Sequence, residues 1–285
     1  MNSRNSLLLR TKLFLKNRLP DRQSRLLRRL VIGSVARVSK LSLPQLAQLY
    51  GLAKWGPPSC MQPYEDHFAP WRNRKLTLIE IGIGGYSDPK AGGNSLRMWK
   101  TFFRKGSIYG VDIADKSPHD EPRIRTFRGD QSDEAFLRRV IAETGTPDII
   151  IDDGSHINDH VIKTFQILFP LLAEDGFYTV EDTQTAYWPD YGGSSDDLCT
   201  SLTSMCLFKK LIDGLNYEEF IRPGYAPSYF DEHIVAMHFY HNLVFVRKGS
   251  NKAGSNLIRN NMPPADAGGQ GPCGTSDGVA SENPG

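Results

Sequence analysis

The sequence predicts an α/β domain built on one mostly parallel sheet of seven strands, with helices on both faces and an antiparallel hairpin at its end. Three observations carry the prediction. From Leu76 onward, apolar runs of strand length alternate with amphipathic segments of helix length, the pattern of parallel strands joined by crossover helices. Ile149, Ile150 and Ile151 stand in a row, which suits a strand buried on both faces. The last two runs, near 233–239 and 242–247, are too close together for a crossover and must pair antiparallel.

Taken in order, residues 1–70 read as a basic helical segment and a cover over the site, 71–249 as the main domain, and 250–285 as a disordered tail. Residues 7–40 mix Leu, Ile, Val and Phe with Arg and Lys at loosely helical spacing, broken once at Pro20. Three readings compete for them: a helix packing on the domain or on another subunit, an interfacial membrane helix, and an organellar transit peptide. A short helix is expected at 43–49, with Ser42 placed to cap it and Pro44 tolerated in its first turn. The polar and aromatic stretch 61–75 leads into the sheet, and its Tyr64, Glu65 and His67 suit a cover over a nearby site. Strands then fall within 76–83, 107–113, 123–130, 147–155 and 176–182, and helices near 95–103, 133–144, 156–172 and 201–215. Beyond Gly249 the chain holds scarcely any large apolar residue, which predicts disorder.

Composition bounds the function. With 285 residues, 39% of them hydrophobic, the chain can bury one substantial core and a small appendage. Residues 1–40 carry eleven Lys or Arg against one acid, Asp21, so the overall charge of +2 conceals a body of 245 residues at −8. An acidic body argues against a nucleic-acid substrate, because phosphate contacts dominate such binding. Cys60, Cys199, Cys206 and Cys273 form neither a C-x-x-C pair nor a regular framework, so a reducing, cytoplasmic setting is expected. There is no apolar run of the ~20 residues that a membrane helix needs.

The first strand ends in Glu80-Ile-Gly82-Ile-Gly84-Gly85, where glycines let the backbone approach a ligand closely. A dinucleotide fingerprint would need glycine at Ser87, so NAD is disfavoured. Asp112 ends the next strand and suits ribose hydroxyls. Asp130 and Gln131 end the third, where an adenine amino group and ring nitrogen need an acceptor and a donor. Asp112 would serve NAD equally, but Asp130, Gln131 and Glu80 favour S-adenosylmethionine, and the closing hairpin resembles the seventh-strand reversal of class I methyltransferases. The rival reading of Glu80 is a buried acid tied to backbone amides.

The fourth and fifth strands end in Asp152-Asp153-Gly154-Ser155-His156 and in Glu181-Asp182. In a parallel sheet these ends adjoin, where open α/β sheets bind ligands. Asp153, Glu181 and Asp182 offer the oxygens that a hard divalent cation prefers, and their mutual repulsion itself argues for one. Ser155 is the favoured cap for the helix that follows, and Asp152 faces either the cofactor or the sheet. His156 and His160 have zinc-compatible spacing but lack the H-E-x-x-H glutamate. His156 reads as a general base and His160 as structural, while one of His238 and His241 could reach a substrate. The aromatic loop 183–195 suits either stacking on a sugar or polyketide ring or a plain surface role.

The segments YEDHFAPWR, LIEIGIGG, GVDI, GDQSD, IIIDDGSHINDH, VEDTQTAYWPDYGG and MHFYHNLVF together resemble the metal-dependent sugar O-methyltransferases of macrolide and other polyketide-glycoside biosynthesis. The resemblance implies a Rossmann-like class I methyltransferase fold and covers about residues 50–248. It implies that Asp153, Glu181 and Asp182 hold magnesium and that His156 is the base. A deoxysugar hydroxyl on a glycosylated natural product or glycolipid is the expected acceptor. The alternatives are a catechol or polyketide hydroxyl, or a non-catalytic cofactor-binding subunit. A homo-oligomer is expected, and the basic N-terminus also suits peripheral membrane contact.

Overall fold

The computed structural model describes residues 40–52, 61–198 and 202–262. The three readings of the basic segment fall almost wholly on residues 1–39, outside the described residues.

Helix α1 (Leu43–Tyr50) opens as expected: the backbone N–H of Ser42 donates to Gln45 Oε1 at 3.0 Å, and Pro44 sits in the first turn. Helix α2 (Met61–Phe68) follows. Then come β1 (Thr77–Ile81), α3 (Asn94–Phe102), β2 (Ser107–Asp112), β3 (Ile124–Arg128), α4 (Glu134–Thr144), β4 (Ile149–Asp152), α5 (Asn158–Leu168) and β5 (Phe177–Glu181). Helices α6 (Ser204–Gly214) and α7 (Tyr229–His233) precede β6 (Ile234–Tyr240) and β7 (Leu243–Lys248).

The seven strands form one sheet in the order β3-β2-β1-β4-β5-β7-β6, parallel from β3 to β5. Strand β7 inserts antiparallel between β5 and β6, which is the expected terminal hairpin. Asn242 turns that hairpin at φ +61°, a conformation asparagine tolerates.

Alternation along the strands divides the interior into two cores. Ile149, Ile151, Leu243 and Phe245 pack with Leu43, Tyr64, Phe68 and Trp99 of the first three helices. Ile150, Val244 and Val246 point the other way, onto Leu137, Phe165 and Phe208 of α4, α5 and α6. Each buried isoleucine or phenylalanine contributes roughly 1.5–3 kcal/mol, so the sheet is held from both faces and its carboxyl edge is a firm platform.

Two boundaries differ from expectation. The stretch 61–75, expected as a cover, packs into the core: Tyr64 and Phe68 on α2 are fully buried there, because their aromatic area outweighs the polar residues between them. The tail is held as far as Met262. Asn251 Nδ2 donates to the carbonyls of Leu215 and Asp231, and Ser255 Oγ donates to Glu219 Oε2 at 2.8 Å. Polar side chains anchor this piece where apolar ones are scarce; residues 263–285 lie outside the described residues. Among the described residues, no helix is long and apolar enough to cross a membrane.

Candidate active site

The carboxyl ends of β1, β2, β4 and β5 border a cavity of about 1330 Å³. One end is the glycine turn after β1. Gly82 has φ +76°, and a Cβ there would stand 2.1 Å from the Asp153 carbonyl oxygen, so this position accepts glycine for both reasons. Asp112 accepts hydrogen bonds from the N–H groups of Ile83 at 3.2 Å and Ala114 at 2.9 Å, which fixes its carboxylate against that turn. Asp130 accepts from Ser132 N and Ser132 Oγ, both at 2.8 Å. Those two hydrogen bonds hold its pKa below the usual carboxylate range.

Of the residues assigned to the cofactor from sequence, Gly82, Gly84, Asp112, Asp130 and Gln131 line the cavity. Gln131 is nevertheless committed within the protein. Its Nε2 donates to Asp152 Oδ1 at 3.1 Å and Thr164 Oγ1 at 3.2 Å, and its Oε1 accepts from Ser155 N at 2.7 Å. It fastens the loop after β4 rather than offering its amide to a purine.

Glu80, assigned to the cofactor from sequence, and Asp152, left between the cofactor and the sheet, do not line the cavity. Both lie inside paired strand, where side chains point across the sheet and not out of its end. Glu80 is 1% exposed. Asp152 faces the second core, where Tyr178 OH donates to its Oδ2 at 3.2 Å. Burial pushes its pKa up to about 7, against the pull of hydrogen bonds from Tyr178, Gln131 and the Gly154 N–H.

The other end of the cavity holds the acids and the histidine. One ligand atom each from Asp153, His156 and Asp182 lies within 4.8 Å of the others, the group of this kind among the described residues. The two carboxylates offer the oxygens that a hard divalent cation takes, and the imidazole stands beside them. His156 Nε2 is 3.4 Å from Asp182 Oδ2. Glu181 also lines the cavity but stands outside that group, and its Oε1 accepts a hydrogen bond from Tyr64 OH at 2.9 Å.

Ser155 is not the N-cap of α5. The helix begins at Asn158, with Ile157 at the cap position, because His156 turns the chain at φ +59° first. Ser155 Oγ instead accepts from Ile157 N at 3.3 Å and pairs with His160 Nδ1 at 3.0 Å. His160 lines the cavity, and so does His241; His238 does not, its ring lying 4.5 Å from His67.

The aromatic loop 183–195 stands beside the cavity and supplies none of its lining. Asn158, 1% exposed, pins it: Nδ2 donates to the carbonyls of Thr185 at 3.1 Å and Tyr191 at 3.0 Å, while Oδ1 accepts from Ser204 N and Oγ. The sequence did not single out Asn158, nor Tyr86, which lies at the rim 95% exposed with φ +47°. The only signal for Tyr86 was the Gly84-Gly85 pair ahead of it.

No protein-family model matches the chain. It is 49% identical over 218 residues to the 8-demethyl-8-alpha-L-rhamnosyl tetracenomycin-C 2'-O-methyltransferase of Streptomyces olivaceus, a match covering 76% of this chain and 57% of that protein. It is 48% identical over 218 residues to the mycinamicin VI 2''-O-methyltransferase of Micromonospora griseorubida, covering 76% and 54%. A solved structure of MycE methyltransferase from the mycinamycin biosynthetic pathway, in complex with Mg and SAH, superposes with a TM-score of 0.73 at 48% identity, covering 75% of this chain and 56% of that one. The chain thus spans about half the length of the relatives it matches. Across its Rossmann-like methyltransferase fold, the chain is a homologue of the sugar O-methyltransferases.

Proposed function

We propose that the chain transfers a methyl group from S-adenosylmethionine to a hydroxyl of a rhamnose-like deoxysugar, on a glycosylated natural product or glycolipid, in a Mg2+-dependent reaction. The observation that carries the reading is the convergence of Asp153, His156 and Asp182 at one end of a cavity whose other end is the Gly82 turn and Asp112. A solved relative is bound to Mg, SAH and mycinamycin VI, which supports the same cofactors and a glycoside acceptor here.

Gly82, Gly84 and Asp112 hold the cofactor, with Asp130 at its edge, and Asp153, Glu181 and Asp182 hold the metal. When bound, the metal acidifies an acceptor hydroxyl and the cofactor supplies an electrophilic methyl. His156 takes the hydroxyl proton. His156 Nε2 stands 3.4 Å from Asp182 Oδ2, which places the ring at the end of the cavity where the metal would be held. Buried strand ends and left-handed turns hold these groups before substrate arrives, so positioning contributes much of the acceleration.

A second reading makes His156 a metal ligand in place of Glu181, because the grouped ligand atoms are those of Asp153, His156 and Asp182. Magnesium's preference for oxygen favours the base role. The two separate on Mn2+ binding by His156→Ala, which the base role leaves intact and the ligand role removes. A cytoplasmic setting, a homo-oligomeric assembly and peripheral membrane contact through the basic N-terminus belong to the same proposal. Mass spectrometry of rhamnosides, catechols and glycolipids incubated with the protein, S-adenosylmethionine and magnesium tests the acceptor class; methylation of catechols alone overturns the sugar assignment.

A further inference from the structure

We infer that Tyr64 is a positioning residue of the metal site, whose hydroxyl sets the orientation in which the Glu181 carboxylate meets a divalent cation. The inference rests on the reading of Glu181 as a metal ligand. Tyr64 OH donates to Glu181 Oε1 at 2.9 Å across 117 residues of sequence, and both side chains are buried.

Neither partner can readily turn away. The Tyr64 ring is clamped edge-on or tilted between Phe68, Trp99 and Phe245, with centroids 5.4, 5.2 and 5.0 Å away. Its helix, α2, is tied to α1 by Glu65 Oε2, which accepts from Leu43 N at 2.6 Å. Glu181 is the last residue of β5, paired with Leu243 of β7, and Asp182 turns the chain immediately after it at φ +52°. With backbone and one carboxylate oxygen both held, the plane of the Glu181 carboxylate at the cavity wall is set in advance.

A free glutamate gives up rotamer freedom when it ligates; one already held gives up less. Tyr64 therefore raises metal affinity without touching the ion. It also lies outside the β/α repeat, on the helix that joins the N-terminal part of the chain to the sheet. Seating of that helix and readiness of the metal site are thereby one event.

The test uses the full chain with Mn2+ as probe, free Mn2+ being followed by its electron paramagnetic resonance signal. Tyr64→Phe keeps the ring and removes only the hydroxyl, so thermal midpoint and S-adenosylhomocysteine binding should match wild type, while Mn2+ affinity falls about 10-fold. Glu181→Gln should weaken Mn2+ at least as much. In the double variant, Tyr64→Phe should add nothing to Glu181→Gln, because the hydroxyl acts only through that carboxylate. Mn2+ binding by Tyr64→Phe within about twofold of wild type, with Glu181→Gln weakened, overturns the inference. Additive losses in the double variant also overturn it, giving Tyr64 a merely structural role, and this comparison holds even where the single variant loses stability. Wild-type binding by Glu181→Gln removes the ligand reading on which the inference rests.

Discussion

His156 and Asp182 face each other across adjoining strand ends, Nε2 to Oδ2 at 3.4 Å, and both hold left-handed backbone, φ +59° and +52°. Neither is glycine, so each such turn costs about 1–3 kcal/mol and persists only where its surroundings impose it. Here they do. Gln131 ties down Ser155 just before His156, and the Asn242 carbonyl accepts from Thr183 N just after Asp182. The strain buys a convergence that straight strand exits would not give.

The metal site should depend on each grouped carboxylate. Asp153→Asn and Asp182→Asn are each expected to weaken Mn2+ binding by more than about 10-fold, the usual cost of losing even an outer partner. Chelation with EDTA should stop methyl transfer, and magnesium should restore it. Turnover indifferent to EDTA would remove the metal from the account.

Gly82 and Gly145 share positive φ but not surroundings: nothing lies within 4 Å of a Cβ at Gly145, whereas one at Gly82 meets the Asp153 carbonyl. Gly145→Ala should cost only the backbone strain of its φ +77°, ψ 178° conformation, about 1–3 kcal/mol. Gly82→Ala should cost more and abolish S-adenosylhomocysteine binding in calorimetry. Equal effects from the two would mean that the turn is not held against β4.

Asn158 ties the loop 183–195 and the start of α6 to the helix that follows His156. Asn158→Ala leaves two carbonyls and the Ser204 N–H without this partner, a loss of about 2 kcal/mol. The thermal midpoint should fall, and acceptor KM should rise more than cofactor KM. An unchanged midpoint would show that the loop is held by other contacts.

Much of the fold was legible because strand period and helix period differ along this chain. The isoleucine run, the two acidic strand ends and the close-set final strands each had one sensible structural meaning. Glu80 lies away from the cavity, and Asp152 takes the sheet side of the two left open for it, because alternation says that neighbours point opposite ways without saying which one meets the cavity. Tyr64 was read as part of a cover because its polar neighbours hid an aromatic face, and its partner Glu181 lies 117 residues away. Ser155 was taken for the cap because a left-handed histidine after it is a tertiary outcome that local propensity does not predict.

His67 provides a pH signature of the α2 seat. Burial lowers its pKa below the ordinary 6.5, nearby His238 lowers it further, and Asp66 opposes them. The unfolded chain therefore takes up this proton at a higher pH than the folded one. The stability contributed by neutral His67 is present above 6.5 and is lost as pH falls through the folded value. An NMR titration should find His67 below 6.5 and moving upward in His238→Ala; no movement would mean that His238 exerts no charge effect.

In the proposed reaction His156 removes the acceptor proton beside a metal held by the neighbouring carboxylates. The direct measurement is His156→Ala, assayed by mass spectrometry for methyl transfer to a rhamnoside and by calorimetry and Mn2+ titration for binding. Turnover should fall by about 10²–10⁴-fold, with S-adenosylmethionine and Mn2+ still bound as in wild type. Turnover that survives intact, or Mn2+ binding that disappears with the imidazole, would contradict it.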